Sequence, residues 1–327
     1  MGGVEGIVDA LVAETGFSGV VRVDSSGRTL LAKAYGFAHR GLRVPNTVGT
    51  RFALASGTKG LTALTVAALA ERGVLGLDTT ARSLLGDDLP LIGDEVTVEH
   101  LLAHRSGIGD YCDEDAGRPV TDHILPVPVH ELESTGDYLR VLDGHPPKFP
   151  PGRRFSYCNS GYVVLALLAE RATGRPFAEL VGDLVCAPAG MADTGFLRSD
   201  EPTAGVALGY VGARRTNVFH LPVLGSGDGG IYSTAADVHA FWAAVFTGRI
   251  VPLARVREMT APRSAVPEEN LRYGLGFWLA GDAVLLEGYD AGVSFRTVHS
   301  GAATWSVLSN TTEGAWPLAR RIAELTG

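Results

Sequence analysis

Three short runs near the C-terminus constrain this chain most. Val284–Glu287, Ser294–His299 and Thr304–Ser309 are rich in β-branched and apolar residues, and Asp290-Ala-Gly292 and Ser300-Gly-Ala302 separate them. Runs of that length broken by glycine turns predict neighbouring antiparallel strands. A second pair lies at the other end, where Val20–Val23 and Thr29–Tyr35 flank the turn signal Ser25-Ser-Gly-Arg28. Arg51–Ala55 reads as a short approach strand. Helical periodicity marks Val4–Glu14, Lys59–Arg72, Thr97–His104, Ser160–Thr173 and Trp316–Leu325, with Gly73 and Gly174 as stops. From about residue 78 to 200 the pattern is helical pieces between Pro and Gly loops, and strands return after about Gly205. The expectation is an α/β (α+β) fold. Residues 1–77 and 201–327 form a discontinuous unit with an antiparallel sheet flanked by helices, and 78–200 form a mostly helical unit.

The chain has 327 residues, 46% hydrophobic and 20% charged. That excludes disorder and leaves ample material for a core. Net charge is −8 with no basic run, so nucleic-acid binding has no electrostatic footprint. The apolar runs near Leu61–Ala70 and Val163–Ala169 fall short of the ~20 residues that span a bilayer. Met1–Glu5 lacks the positive and apolar stretches of a secretory leader. A soluble cytoplasmic protein is expected, without membrane or nucleic-acid partners. Cys112, Cys158 and Cys186 are odd in number and widely spaced, which predicts reduced thiols and neither a disulfide framework nor a CxxC metal pair.

Of the 28 basic residues only Lys33, Lys59 and Lys148 are lysines. Arginine cannot lose its proton in a protein, whereas a desolvated lysine can. Lys33 and Lys148 read as solvated charges. Lys59 sits three residues after Ser56, at the start of the Lys59–Arg72 helix. One helical turn puts both on one face, within reach of each other. A serine hydroxyl needs a neighbouring base to become a nucleophile. Lysine serves if burial lowers its pKa from about 10.4 toward 7, roughly three units or about 4 kcal/mol. The positive helix end favours negative charge developing at Ser56. A second element, Tyr157-Cys-Asn159, precedes the Ser160 helix. Residues two apart in an extended segment face the same way, so a phenol for proton transfer and an amide for a carbonyl can share a cleft. Turn chemistry and packing are the bland alternative there.

Ser56-x-x-Lys59 followed by Tyr157-x-Asn159 resembles the serine β-lactamase and penicillin-binding-protein superfamily, most of all its class C β-lactamase, DD-peptidase and family VIII esterase branch. Five flanking segments carry the likeness further. Phe52–Lys59 is similar to the family's approach to the nucleophile, Val98–Gly107 to LLxHTSG, and Pro151–Gly161 to PGxxFxYxNxGY. Pro188–Gly195 is similar to PLGMxxTxF and Gly229–Asp237 to GGxxSTAxD. The resemblance implies an active site between a sheet unit and a helical unit, with Ser56 as the acylated nucleophile. Lys59 and Tyr157 would share the general-base and general-acid work, in an order left open. Asn159 would bind the acyl side of the substrate. The Ser56 amide and one from a C-terminal strand would form the oxyanion hole.

The third motif departs from the family. No lysine follows Lys148, so Lys-Thr-Gly is impossible, and on the strand placed at the cleft the family's usual positive or imidazole group is missing. Leu286-Glu-Gly288 takes its place, with Tyr289 supplying the second oxyanion amide; a one-residue shift puts Glu287 or Tyr289 where the cation belongs. Gly288 and Tyr289 are therefore expected to touch substrate. Arg296, Arg320 and His299 are candidate replacements for the missing cation. Weak or absent β-lactam turnover is expected, with preference for uncharged esters, amides or lactones. Tyr111 is expected either in the cleft or as a packed loop aromatic.

Other motifs read as structure. Gly225-Ser-Gly-Asp-Gly-Gly230 fits GxGxxG without the βαβ context or acidic partner of a dinucleotide site. Thr234-Ala-Ala-Asp237 reads as a capping box. His100 and His104 lack the HExxH glutamate and a third ligand, so no metal is expected. His123 and His130 lie in a Pro-rich loop and read as solvated. No GxSxG elbow occurs. The expected function is a cofactor-free serine hydrolase acting on a small molecule. Acyl transfer, or β-lactam or D-amino-acid peptide hydrolysis, are variants on the same site. A catalytically silent binding protein is the rival from another class.

Overall fold

The strand runs from opposite ends of the chain meet in one antiparallel sheet. The computed structural model describes residues 4–114, 117–201 and 203–326. The strands are β1 (Gly19–Ser25), β2 (Arg28–Tyr35), β3 (Phe37–His39), β4 (Val44–Pro45), β5 (Phe52–Ala53), β6 (Gly195–Phe196), β7 (Ile231–Ser233), β8 (Ser264–Val266), β9 (Leu271–Tyr273), β10 (Trp278–Ala280), β11 (Ala283–Asp290), β12 (Val293–Ser300) and β13 (Ala303–Ser309). The main sheet runs β2-β1-β13-β12-β11-β10-β9-β8, beside a β3-β4 pair and a β5-β7-β6 sheet. β1 pairs with β13 from Gly19↔Ser309 to Ser25↔Ala303. The β1–β2 hairpin turns on Ser26 and Gly27, both at positive φ (50° and 74°), which suits the right-handed twist of the flanking strands.

The helices are α1 (Val4–Thr15), α2 (Thr58–Glu71), α3 (Ala81–Leu85), α4 (Val98–Leu102), α5 (Leu139–Leu142), α6 (Asn159–Thr173), α7 (Phe177–Val181), α8 (Ala187–Ala189), α9 (Ala235–Phe246), α10 (Leu253–Met259) and α11 (Ala315–Thr326). Alternation along the strands sends side chains to two cores. Val21, Val23, Trp305 and Val307 pack with Val8, Leu318 and Ile322 of α1 and α11. Val20, Phe295 and Leu308 belong to the larger core with Leu61, Leu64 and Val164 of α2 and α6. Every α2 residue from Thr58 to Leu69 is buried, so this helix has no solvent face. Thr62 and Thr65 satisfy their hydroxyls on backbone carbonyls of Gly227 and Leu61.

Some expectations need correction. α4 is shorter than Thr97–His104: Thr97 is its N-cap, and His104 lies beyond it at φ 53°. α9 follows the cap read at Thr234, whereas α10 interrupts, unanticipated, the stretch where strands return; it buries just Val256 and Met259, too little to show a period. Thr234 caps α9 by accepting from the Asp237 amide, but the Asp237 carboxylate turns to the Asp193 amide and the Thr194 hydroxyl and does not close a box. Lys33 and Lys148 are not merely solvated: Lys33 bridges Glu5 and Asp9, and Lys148 pairs with Asp113 at 2.7 Å. His123 is half-buried with its Nε2 covered. No helix among the described residues is long and apolar enough to cross a membrane.

Candidate active site

Ser56 sits where β5 gives way to a single 3-10 turn, Ala55–Gly57, that runs into α2. The turn is tight because Ala55 adopts φ 44°, a left-handed conformation uncommon outside glycine and frequent at functional sites. Two glycines let it press against the sheet. A Cβ on Gly57 would stand 2.5 Å from the Phe295 ring, and one on Gly60 would stand 2.6 Å from Leu286.

Lys59 is only 2% exposed. Its Nζ lies 2.8 Å from Ser56 Oγ, 2.8 Å from Asn159 Oδ1 and 2.9 Å from the Asp228 carbonyl oxygen. Burial pushes its pKa below the ordinary lysine value, against the opposing pull of the Asp228, Glu114 and Asp110 carboxylates. Two of its three neighbours are carbonyl oxygens that only accept. A neutral amine has two N–H bonds for them and one lone pair, which then points at the Ser56 hydroxyl.

Tyr157 arrives on a segment laced to residues 104–107. Lys148 N donates to Gly107 O, Gly152 N to Arg105 O, Ser156 N to His104 O, and Cys158 N to His104 Nδ1. The Tyr157 ring lies under Lys59 Nζ at 4.9 Å and stacks with Trp278 at 6.0 Å and 10°. Its hydroxyl hydrogen-bonds Ser56, and burial holds its pKa well above the usual tyrosine value, so it is a phenol at neutral pH.

Asn159 faces Lys59 rather than open space. It is buried on the first turn of α6, its Oδ1 accepts a hydrogen bond from Lys59 Nζ, and its Nδ2 donates to Cys112 O at 2.9 Å and Glu114 Oε1 at 3.1 Å. The buried Asp110 carboxylate fixes that turn, accepting from the amides of Asn159 and Ser160 and from the Ser160 hydroxyl. Tyr111 is not in the Ser56 cleft. Its hydroxyl donates to Asp228 Oδ2 at 2.6 Å, and it lines a chamber of about 70 Å³ with Tyr138 and Asp290.

The cleft itself holds about 830 Å³, and Ser56, Tyr157, Trp278, Gly288, Tyr289 and Trp316 are among its walls. β10 pairs with β11 only as far as Leu285, which leaves 286–290 as an edge next to the Ser56 turn. There a Cβ on Gly288 would stand 2.0 Å from the Leu54 carbonyl oxygen. Leu286 is buried against Gly60. Glu287 accepts from Arg296 Nε at 2.9 Å, and the Arg296 guanidinium lies over Trp316 at 5.3 Å. Arg296 and Arg320 line the cleft; His299 stacks on Phe246 away from it. Tyr289 donates its hydroxyl to Glu313 at 2.6 Å.

Sequence reasoning missed four participants. The Gly225–Gly230 loop carries Asp228, whose carbonyl receives Lys59; Gly227 is needed because a Cβ there would stand 2.1 Å from Tyr162 O. Its glycine density signalled close backbone approach, though not toward what. Glu114, Trp278 and the contacts of His104 carried no signal of their own. Among the described residues no group of His, Cys, Asp and Glu is arranged to hold a metal ion.

A family model described as Beta-lactamase matches residues 4–325. The penicillin binding protein of Bacillus halodurans superposes with a TM-score of 0.91 at 33% identity, covering 97% of this chain and 99% of that one. The D-amino acid amidase of Ochrobactrum anthropi SV3 superposes with a TM-score of 0.80 at 25% identity, covering 98% and 96%. Esterase EstB of Burkholderia gladioli is 35% identical over 204 residues, 60% of this chain and 52% of its own length. The chain spans less than two thirds of the length of the first curated relatives it matches.

Proposed function

The chain belongs to the beta-lactamase family, and from that premise we propose that it is a serine hydrolase cleaving an ester or amide through an acyl-enzyme on Ser56. The observation that carries the reading is the 2.8 Å approach of a fully buried lysine to the serine hydroxyl, with the other two lysine contacts made to acceptors. Ser56 passes its proton to the Lys59 amine as Oγ bonds to the acyl carbon. The ammonium then finds three acceptors already in place. Tyr157, a phenol touching Ser56, relays that proton to the departing alkoxide or amine. Negative charge on the former carbonyl oxygen falls to the amides of Ser56 and Tyr289, the latter on the open edge of β11. In the second half water attacks the acyl carbon and gives a proton to Lys59; as the C–Oγ bond breaks, Lys59 returns that proton to Oγ, which releases the acid and restores the Ser56 hydroxyl and the neutral amine.

The substrate reading follows from the third-motif position. Leu286 is buried and apolar there, and Glu287 engages Arg296, so the motif position itself offers no cation to a carboxylate. Uncharged acyl groups suit such a wall, and the aromatic rings of Trp278 and Trp316 suit their apolar parts. A second reading, amides bearing an ammonium group, is favoured by one feature: five glutamates (Glu114, Glu268, Glu269, Glu287, Glu313) line the cleft against three arginines (Arg154, Arg296, Arg320). The test is turnover of p-nitrophenyl acetate beside an amino-acid p-nitroanilide. Wild type should hydrolyse one or both and Ser56→Ala neither. Undiminished turnover by Ser56→Ala would remove the nucleophile from this account.

A further inference from the structure

His104 takes part in no proton step above, yet it holds Tyr157 on three counts. Its carbonyl accepts from the Ser156 amide at 2.9 Å and its Nδ1 accepts from the Cys158 amide at 3.0 Å, so one residue grips the amides of both sequence neighbours of Tyr157. Its ring lies 4.3 Å, centroid to centroid, from the Tyr157 ring. To do this it is fully buried and held at φ 53°, a conformation a histidine adopts at a cost. The Cys158 bond assigns the ring proton to Nε2. That atom has no hydrogen-bond partner among the described residues and lies within a ring cluster that includes Tyr162, Tyr273 and Phe155.

We propose that His104 is the positioning residue for Tyr157, its neutral Nδ1 fixing the Cys158 peptide so that the phenol is held against Ser56. The proposal rests on the proton-relay role given to Tyr157 above. Ordinary core packing asks only for a flat ring, which phenylalanine supplies. The acceptor atom is the distinguishing contribution, because the Cys158 amide is buried and has His104 Nδ1 as its acceptor. Desolvation, aided by the Lys59 charge, pushes the imidazole pKa well down, which keeps Nδ1 an acceptor. Protonation would set a donor against the Cys158 donor. The titratable groups facing the ring are Lys59 and the hydroxyl-bearing Tyr157, Tyr162 and Tyr273.

Two substitutions separate the ring from the acceptor. His104→Phe keeps the ring and removes the acceptor. His104→Asn loses the ring but returns an acceptor oxygen near Nδ1, on a residue that tolerates left-handed φ. With p-nitrophenyl acetate, kcat of His104→Phe should fall on the order of 100-fold with KM within about twofold, the cost of misplacing a catalytic group by about an ångström. His104→Asn should recover about tenfold of that loss even where its melting temperature is no higher. Wild-type kcat in His104→Phe, or equal losses in both variants, overturns the proposal. Should neither variant fold, wild-type protein 15N-labelled at histidine decides: His104 should show the Nε2–H tautomer unchanged across about pH 5–8, where free imidazole titrates. An Nδ1–H tautomer or an ordinary titration overturns it. Ser56→Ala, assayed alongside, isolates the premise. If it remains active the hydrolase reading fails, and if it is inactive while His104→Phe is normal only the positioning role fails.

Discussion

The contact between Gly288 and the Ser56 turn gives a sharp quantitative test. In Gly288→Ala the new Cβ would stand 2.0 Å from the Leu54 carbonyl oxygen and 3.0 Å from the Ala55 Cβ. Carbon and carbonyl oxygen rest no closer than about 3.3 Å, so the edge of β11 must retreat by about 1.3 Å. A donor that had stood about 2.9 Å from an oxyanion then stands near 4 Å, beyond hydrogen-bonding range. Losing one such donor costs about 2.7–4 kcal/mol of transition-state stabilisation, or 10²- to 10³-fold in kcat. The same retreat strains the β11–β12 ladder by about 1–3 kcal/mol, which a thermal melt will register separately. The assay is steady-state hydrolysis of p-nitrophenyl acetate well below the melting temperature, beside Gly6→Ala, whose Cβ meets nothing within 4 Å. Gly6→Ala should behave as wild type. A Gly288→Ala protein with wild-type kcat would refute the placement of the oxyanion donor on this edge.

Lys59→Met should abolish turnover and yet melt no lower than wild type at neutral pH, because it removes a buried charge site. The sign follows from linkage. A lysine whose folded pKa lies below its unfolded value of 10.5 makes the unfolded state bind more protons between the two, so wild-type stability gains from this group as pH rises through that window. Thermal melts against pH should show the gain in wild type and not in Lys59→Met. Asp110→Ala should destabilise by about 1–2 kcal/mol in denaturant melts through loss of the α6 cap, and should lower kcat by freeing Asn159. Nitrocefin should be turned over slowly if at all; rapid turnover would show that another group, such as Arg320, serves the carboxylate.

The sheet was legible because its strands alternate and its turns carry glycine in positive φ, as at Gly27 and Gly292. The Ser56–Lys59 pair was legible because three residues make about one turn. The order of proton transfer was not. The proposed order rests on the Asp228 carbonyl and Asn159 Oδ1, which lie 169 and 100 residues from Lys59 and occupy two of the amine's directions. Asn159 and Tyr111 carried the right residue types but not their orientation, which loop packing decides: Tyr111 turns to Asp228 and Asn159 to Lys59. His104 read as a core histidine, and buried it is. The sequence held no sign that its Nδ1 reaches the Cys158 amide 54 residues on.

Intact-mass analysis after fluorophosphonate treatment, followed by peptide mapping, bears most directly on the claim that the buried lysine makes Ser56 a nucleophile. One adduct per chain is predicted, on the peptide containing Ser56, lost in Ser56→Ala and slowed by orders of magnitude in Lys59→Met. An adduct on another residue, or labelling of Lys59→Met at the wild-type rate, would contradict the account.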